Sequence, residues 1–503
     1  MFEIMSPADA IDLIKDGDTI GINSFLALAN PDTLHKALFE KFKRTGHPGS
    51  LTLFCESGFG GWDEKLFADP YVLAGAVKRV VASHFMSTPG VMRMARENRI
   101  ECYCLPLGVL SRALRAAAAG ERRFLSKTGL NLFVDPRVEG PGVNSISKDT
   151  LVKPVTIDGE EYLLYDTPRL DIAFIKGTSA DPSGNITYEN EFVSADALPM
   201  VQAAKANGGK VIVQVEKLSH VYARPRSVII PGALVDAIVV ADELPMIQQY
   251  NPVLSGDVHV PPTHMDYWFE RLSSEKKRRK ASRDMSHEII GRRAAKELSS
   301  GDIVNIGVGI PEGVGKYASQ TGKLREITLT VEAGGFGGLP APGVSFGATI
   351  GSDMVCDVSS QFDFYDGGGL DICFMGGFEA DMHGNVNAHR LEGMYAGIGG
   401  FANITGATKN IVFCMNFTAK GLTAVYKNGQ VSIEREGSIK KFKREITSIS
   451  FSAKNAVANG QNVLYVTERC VFKLTEKGLK LIEVYDGIDA QEQIIKMLDF
   501  NPA

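Results

Sequence analysis

Seven cysteines are too few and too scattered to form a covalent or metal framework in a chain of 503 residues. Cys55, Cys102, Cys104, Cys356, Cys373, Cys414 and Cys470 are odd in number and contain no C-x-x-C pair. Most lie inside apolar runs such as IVFCMNF, so they read as reduced core residues. Cys102-Tyr-Cys104 alternates across a strand and has no second pair nearby. Nine histidines form no H-E-x-x-H, and His383 and His389 stand apart, so no metal site is expected. No apolar run is long enough to span a bilayer, which argues against a membrane partner. The opening MFEIMSPADA has neither the basic nor the apolar region of a secretory leader, and a cytoplasmic location is expected. A net positive charge is lacking as well. A formal charge of −5 has the wrong sign for a chain that neutralises nucleic-acid phosphates.

What is present is ordinary in bulk: 44% apolar and 22% charged residues, a globular composition on a chain long enough for two cores. Its organisation is more informative, because three segments recur in the same order. LDIAFIKGTSADPSGNI at 170–186 matches LDICFMGGFEADMHGNV at 370–386. IKDGDTIGINSF near residue 20 matches LSSGDIVNIGVG near residue 305, and LTLFCESG at 51–58 matches ITLTVEAG at 327–334. Within each copy, β-branched runs alternate with helix-period segments. DTIGI, SLTLF, RVVAS, LDIAF, KVIVQV and AIVVA are expected strands; PDTLHKALFEKFKR and GVLSRALRAAAAGERR are expected helices. Strands joined through helices require right-handed crossovers and a mainly parallel sheet. The expected architecture is therefore α/β, two tandem related open sheets. The division is 1–270, a charged linker helix at 271–285 that carries Lys276-Lys277-Arg278-Arg279-Lys280, and 286–503. The basic run reads as a solvated helix face.

Open α/β sheets bind ligands beyond the carboxyl ends of their strands, so polar residues in glycine-rich loops at those ends are the candidates. Glu332 ends an apolar strand and is followed by Ala333-Gly334-Gly335-Phe336-Gly337-Gly338. Glycines let backbone N–H groups approach a ligand closely, and a carboxylate held there could serve as nucleophile, base or ribose-binding acid. A helix cap or a surface ion pair is the plain structural alternative. Upstream, Gly307-Val308-Gly309 and Gly313 after a strand resemble a dinucleotide fingerprint, which would make this a nicotinamide-dependent oxidoreductase with Glu332 on the ribose. The spacing departs from G-x-G-x-x-G, and the fingerprint lies within a duplicated chain. Further glycine clusters at Gly367-Gly368-Gly369, after SSQFDFYD, and at Gly397-Ile398-Gly399-Gly400 each follow or join strand-like segments and read singly as turns. Together with the loop after Glu332 they suggest several backbone surfaces around one extended ligand. Glu56 aligns with Glu332 in the first copy and is followed by Ser-Gly-Phe-Gly-Gly, so duplication alone leaves two acids in contention.

VEAGGFGG, SQFDFYDGGGLD and the paired LDI-x-F…AD…GN segments resemble the fused-chain CoA-transferases of family I, especially the bacterial acetate and propionate enzymes. The resemblance runs from about residue 5 to the C-terminus and includes FVDPR at 133–137 and FKREI near 442. It implies the family's paired α/β fold, a homotetramer, and coenzyme A as substrate, with no metal or nicotinamide. The family's nucleophile maps onto Glu332, its oxyanion donor onto the backbone of Gly399 or Gly400, and pocket residues onto Gln361, Asn23 and Phe25. In the first half Asp16, Gly17, Phe25 and Pro31 match the family pattern, while Asn23-Ser24 replace a Gly-Gly pair and Ala29 stands for a glycine. The implied reaction is ping-pong, through an acyl-glutamyl anhydride and a glutamyl-CoA thioester. A glutamate of ordinary pKa, about 4.3, would be fully ionised at neutral pH but a weak nucleophile, so placement would have to supply the rate. Acyl-CoA hydrolase and non-catalytic homologue are the competing classes on the same fold.

Overall fold

The computed structural model describes residues 2–241, 284–341 and 345–503. They divide into two compact units. One takes the residues up to 241 with Val331–Asp363 and Tyr395–Gly400; the other takes those from 284 to Thr330 with Phe364–Met394 and Phe401–Ala503. The first unit thus draws on two segments of the C-terminal half. The linker expected as a helix at 271–285 falls outside the described residues except for its last two.

The first unit is built on eight parallel strands in the order Glu3–Met5, Ala237–Val240, Lys210–Leu218, Ile172–Ala180, Thr19–Ile22, Leu51–Phe54, Val77–Ala82, Glu101–Cys104. All six strands read from the sequence are among them. Ile172–Ala180 is buried along its whole length, which is why it reads as a continuous apolar run rather than an alternating one. A small antiparallel sheet of Arg123–Ser126, Glu160–Asp166 and Val152–Ile157 stands apart and was not foreseen.

The second unit repeats the central part of that order. Asn410–Cys414, Ile372–Met375, Ile303–Ile306 and Thr328–Val331 are parallel neighbours, as are their counterparts at 210, 172, 19 and 51. Even a pinning contact recurs: Asp171 Oδ2 accepts from Thr19 N–H at 2.9 Å, and Asp371 Oδ2 from Ile303 N–H at 2.8 Å. Asn462–Val466 extends this sheet in parallel, followed by antiparallel Cys470–Thr475 and Gly478–Val484. The strand-like reading of SSQFDFYD needs correction. Val358–Asp366 is a helix. The glycines after it close its end, with Gly368 N–H donating to Tyr365 O and Gly369 N–H to Phe364 O, so that cluster is a cap and not a ligand surface.

Candidate active site

Thr330 is held at the strand end before Glu332 from two sides. Its Oγ1 accepts from the Tyr365 hydroxyl at 3.0 Å and donates to Val304 O at 3.1 Å, and its carbonyl accepts from Asn305 Nδ2 at 3.3 Å. The chain then turns sharply. Gly334 sits at φ +110°, and a Cβ there would lie 1.9 Å from the Cys356 carbonyl, so the turn accepts no other residue. Beyond it Gly335–Phe336 pairs antiparallel with Met354–Val355, so the glycine-rich stretch is the near arm of a hairpin-like excursion.

The Glu332 carboxylate meets the Gly397–Gly400 segment. Gly400 N–H donates to Oε2 at 3.2 Å. Gly399 N–H is engaged elsewhere, donating to Ser83 O at 3.0 Å, while its carbonyl accepts from Leu107 N–H at 2.9 Å. Of the two glycines named by the resemblance, only Gly400 turns its donor to the carboxylate. A Cβ on Gly400 would lie 2.7 Å from Glu332 Oε2 and 2.7 Å from the Phe362 ring, so glycine is needed here for closeness rather than for φ.

Glu332 keeps part of its surface open. Enough protein nevertheless surrounds the carboxyl that desolvation pushes its pKa up to about 7, with the Gly400 N–H as the opposing influence. The expectation of an ordinary, fully ionised glutamate is therefore corrected: the proton is half present at neutral pH. Such a group in an unfolded chain titrates near 4.5. The fold holds a proton that the unfolded chain gives up, so this share of stability is complete below pH 4.5 and is lost as pH rises through 7, a difference of about 3 kcal/mol. Glu332→Gln should accordingly melt several degrees above wild type at pH 8 and at the wild-type temperature at pH 4.5, as measured by calorimetry.

Glu56, the counterpart of Glu332, has no exposed surface, and neither carboxyl oxygen has a hydrogen-bond partner among the described residues. Burial first, and then the nearby Asp196 charge, push its pKa well above the ordinary value, with the N–H groups of Glu56 and Asp196 and the Cys55 thiol as the opposing influences. The two equivalent acids thus differ in kind. Burial without a hydrogen-bond partner disfavours the charged form of Glu56, whereas Glu332 keeps part of its surface open and receives the Gly400 N–H.

The remaining candidates also belong to the first unit. Gln361, on the first turn of the helix from Val358, accepts from Cys356 Sγ at 3.6 Å, and the same thiol reaches Gly334 O at 3.4 Å. Its Nε2 is buried and unpartnered. Cys356 is therefore a site neighbour and not one more core cysteine, a role its sequence context gave no reason to assign. Asn23 follows the strand Thr19–Ile22; its Nδ2 donates to Ser194 O at 3.1 Å and its Oδ1 is buried without a partner. Phe25 is buried, exchanges two backbone hydrogen bonds with Leu28, and lies 6.3 Å from the Phe346 ring. Sequence reading missed Asp196, which ties the parts together. Its Oδ1 accepts from Ser359 N–H at 2.9 Å and Ser359 Oγ at 2.7 Å, and its Oδ2 from the Ser111 hydroxyl. A cavity of about 160 Å³ in the second unit is no rival site: Asp302, Asn410 and Asn462 place it at the opposite, amino ends of the strands.

Residues 4–241 match the coenzyme A transferase family. Over 515 residues the chain is 40% identical to caffeate CoA-transferase of Acetobacterium woodii, covering 100% of this chain and 95% of that protein. It is 38% identical over 504 residues to acetate CoA-transferase YdiF of Escherichia coli K12, covering 99% and 92%. Crystal structures of the acyl-CoA transferase YdiF of E. coli O157:H7 superpose with TM-scores of 0.90 for the apoenzyme and 0.89 for a thioester complex with CoA. Each is 36% identical and covers 100% of this chain and 93% of that one.

Proposed function

Because the chain belongs to the coenzyme A transferase family, we propose that it passes coenzyme A between a short-chain acyl-CoA and a free carboxylate through covalent chemistry on Glu332. The observation that carries this reading is the pairing of a desolvated carboxyl with a single backbone donor, Gly400 N–H, at 3.2 Å. The Glu332 carboxylate attacks the thioester carbonyl, the C–S bond breaks, and CoA thiolate leaves an acyl-glutamyl anhydride. The thiolate then attacks the glutamyl carbonyl, the C–O bond breaks, and the first acid departs as its carboxylate, leaving a glutamyl-CoA thioester. A second carboxylate reverses these steps.

A carboxylate whose proton affinity has been raised by desolvation is a stronger nucleophile than an ordinary one, and holding it at attack distance supplies about 7–11 kcal/mol. In each tetrahedral intermediate negative charge develops on an oxygen, where one preorganised N–H is worth about 3–4 kcal/mol. Gly400 is the donor we assign. Gln361, Asn23 and Phe25 line the acid pocket, and the duplicated halves 1–270 and 286–503, joined by 271–285, form the two domains. The reading carries with it a homotetramer in the cytoplasm. A solved thioester complex with CoA of a protein similar over the full length supports the covalent route.

Incubation with acetyl-CoA and propionate should yield propionyl-CoA, with thiol release from acetyl-CoA alone slower by at least an order of magnitude. Equal thiol release with and without propionate would make the protein a hydrolase. Because only the carboxylate attacks, kcat/KM for acyl-CoA should fall below about pH 7, tenfold per pH unit, and level off above it.

A further inference from the structure

Glu56 has no part in the covalent steps, yet it is the residue the structure leaves least satisfied. Among the described residues, both of its oxygens lack partners while it is fully buried. A neutral carboxyl with an unused O–H in such a place costs on the order of 1–3 kcal/mol. Asp196 does not accept that proton. Both of its oxygens are already occupied, one by Ser359 N–H and Oγ and the other by Ser111 Oγ.

The other orphans lie in the same part of the first unit. Strands Thr19–Ile22 and Leu51–Phe54 run parallel with Gly21 opposite Phe54, and continuing that register sets Asn23, with its unpartnered Oδ1, across from Glu56. Ser24 Oγ lies 3.6 Å from Cys55 Sγ, which keeps the two chains together past their strand ends. On the far side of Asp196, Ser359 starts the helix turn that carries Gln361 and its unpartnered Nε2. A neutral Glu56 offers one donor and one acceptor, Gln361 a second donor and Asn23 a second acceptor; the two donors, buried and unused, fit an acceptor-rich group such as a carboxylate.

We propose that Glu56, as the neutral acid, receives the free carboxylate substrate by donating its own proton in a carboxyl–carboxylate hydrogen bond, with Gln361 Nε2 as the second donor. No bond is made or broken in this contact, and the substrate arrives and leaves as the anion. The duplication thus has divided labour: the second-half acid is acylated and then carries CoA as a thioester, and the first-half acid recognises the free carboxylate that accepts it. This inference rests on the transferase reading of Glu332.

The test uses Glu56→Leu and Glu56→Gln in the full-length protein, with propionyl-CoA and acetate as substrates. Leu removes the donor, and KM for acetate should rise about tenfold or more, as for a lost hydrogen bond to a charged group. Gln supplies an amide N–H and should stay within about threefold of wild type. In both variants the rate of Glu332 labelling by acetyl-CoA and borohydride, without added acid, should change by less than about threefold. KM for acetate unchanged in Glu56→Leu, with or without a higher melting temperature, overturns the proposal. So does an equal rise in both variants. If the Leu variant does not fold, Glu56→Asp withdraws the carboxyl by one methylene, and the same rise or its absence decides. Loss of labelling in wild type would instead remove the Glu332 reading itself.

Discussion

Glu332→Gln should stop turnover, by a factor on the order of 10⁴ or more, in a protein that folds at least as well as wild type. The carboxamide fills the same space and can still accept from Gly400 N–H, so positioning survives while the nucleophile is gone. A residue that merely capped the strand would tolerate this change. Glu332→Asp separates reach from chemistry: it keeps the carboxylate but draws it back by one methylene. About 10²-fold of the rate should be lost, the usual consequence of a displacement near 1 Å at the reacting atom. Loss of transfer in Glu332→Gln together with its higher melting temperature at pH 8 is the joint signature expected of a group held in a desolvated state for function.

Gly400→Ala should lower kcat about 10²–10³-fold, with KM for the acid changed little. The added Cβ would lie 2.7 Å from both Glu332 Oε2 and the Phe362 ring. Phe362 is buried, so the segment itself must shift and take its N–H with it. Gly399→Ala is the control. Its Cβ would come only to 4.0 Å from Glu332, and its N–H already serves Ser83, so its cost should be that of an alanine at φ +51°, about 1 kcal/mol of stability with less than a tenfold loss of rate. Rapid-mixing measurement of the first acid's release, apart from steady-state turnover, distinguishes loss of the oxyanion donor from slower product departure.

The repeated segments carried the fold plainly, because parallel strands buried on both faces must be written as apolar runs and the duplication wrote them twice. The ADPSGN and ADMHGN turns, the clearest repeat, are structural. Asp181 Oδ1 accepts from Ser183 N–H and Asn185 N–H, Asp381 Oδ1 does the same from His383 N–H and Asn385 N–H, and each asparagine oxygen then holds a backbone N–H far along the chain, at Gly232 and Ala453. Glu332 was legible as a carboxylate at a strand end among glycines. Its proton affinity was not, since desolvation depends on residues that close around it from elsewhere in the chain. Gly400 approaches from 68 positions away and Ser359 reaches Asp196 across 163, separations that local pattern does not encode. SSQFDFYD misled because its apolar residues fit either period when the flanking glycines are taken as turns rather than as a helix cap.

The direct test of the account is to incubate the protein with acetyl-CoA, reduce with borohydride, and locate the modified side chain by peptide mass spectrometry. Glu332 should be converted to the corresponding alcohol and no other carboxyl changed. Modification of Glu56, or a labelled Glu332→Gln variant, would contradict it.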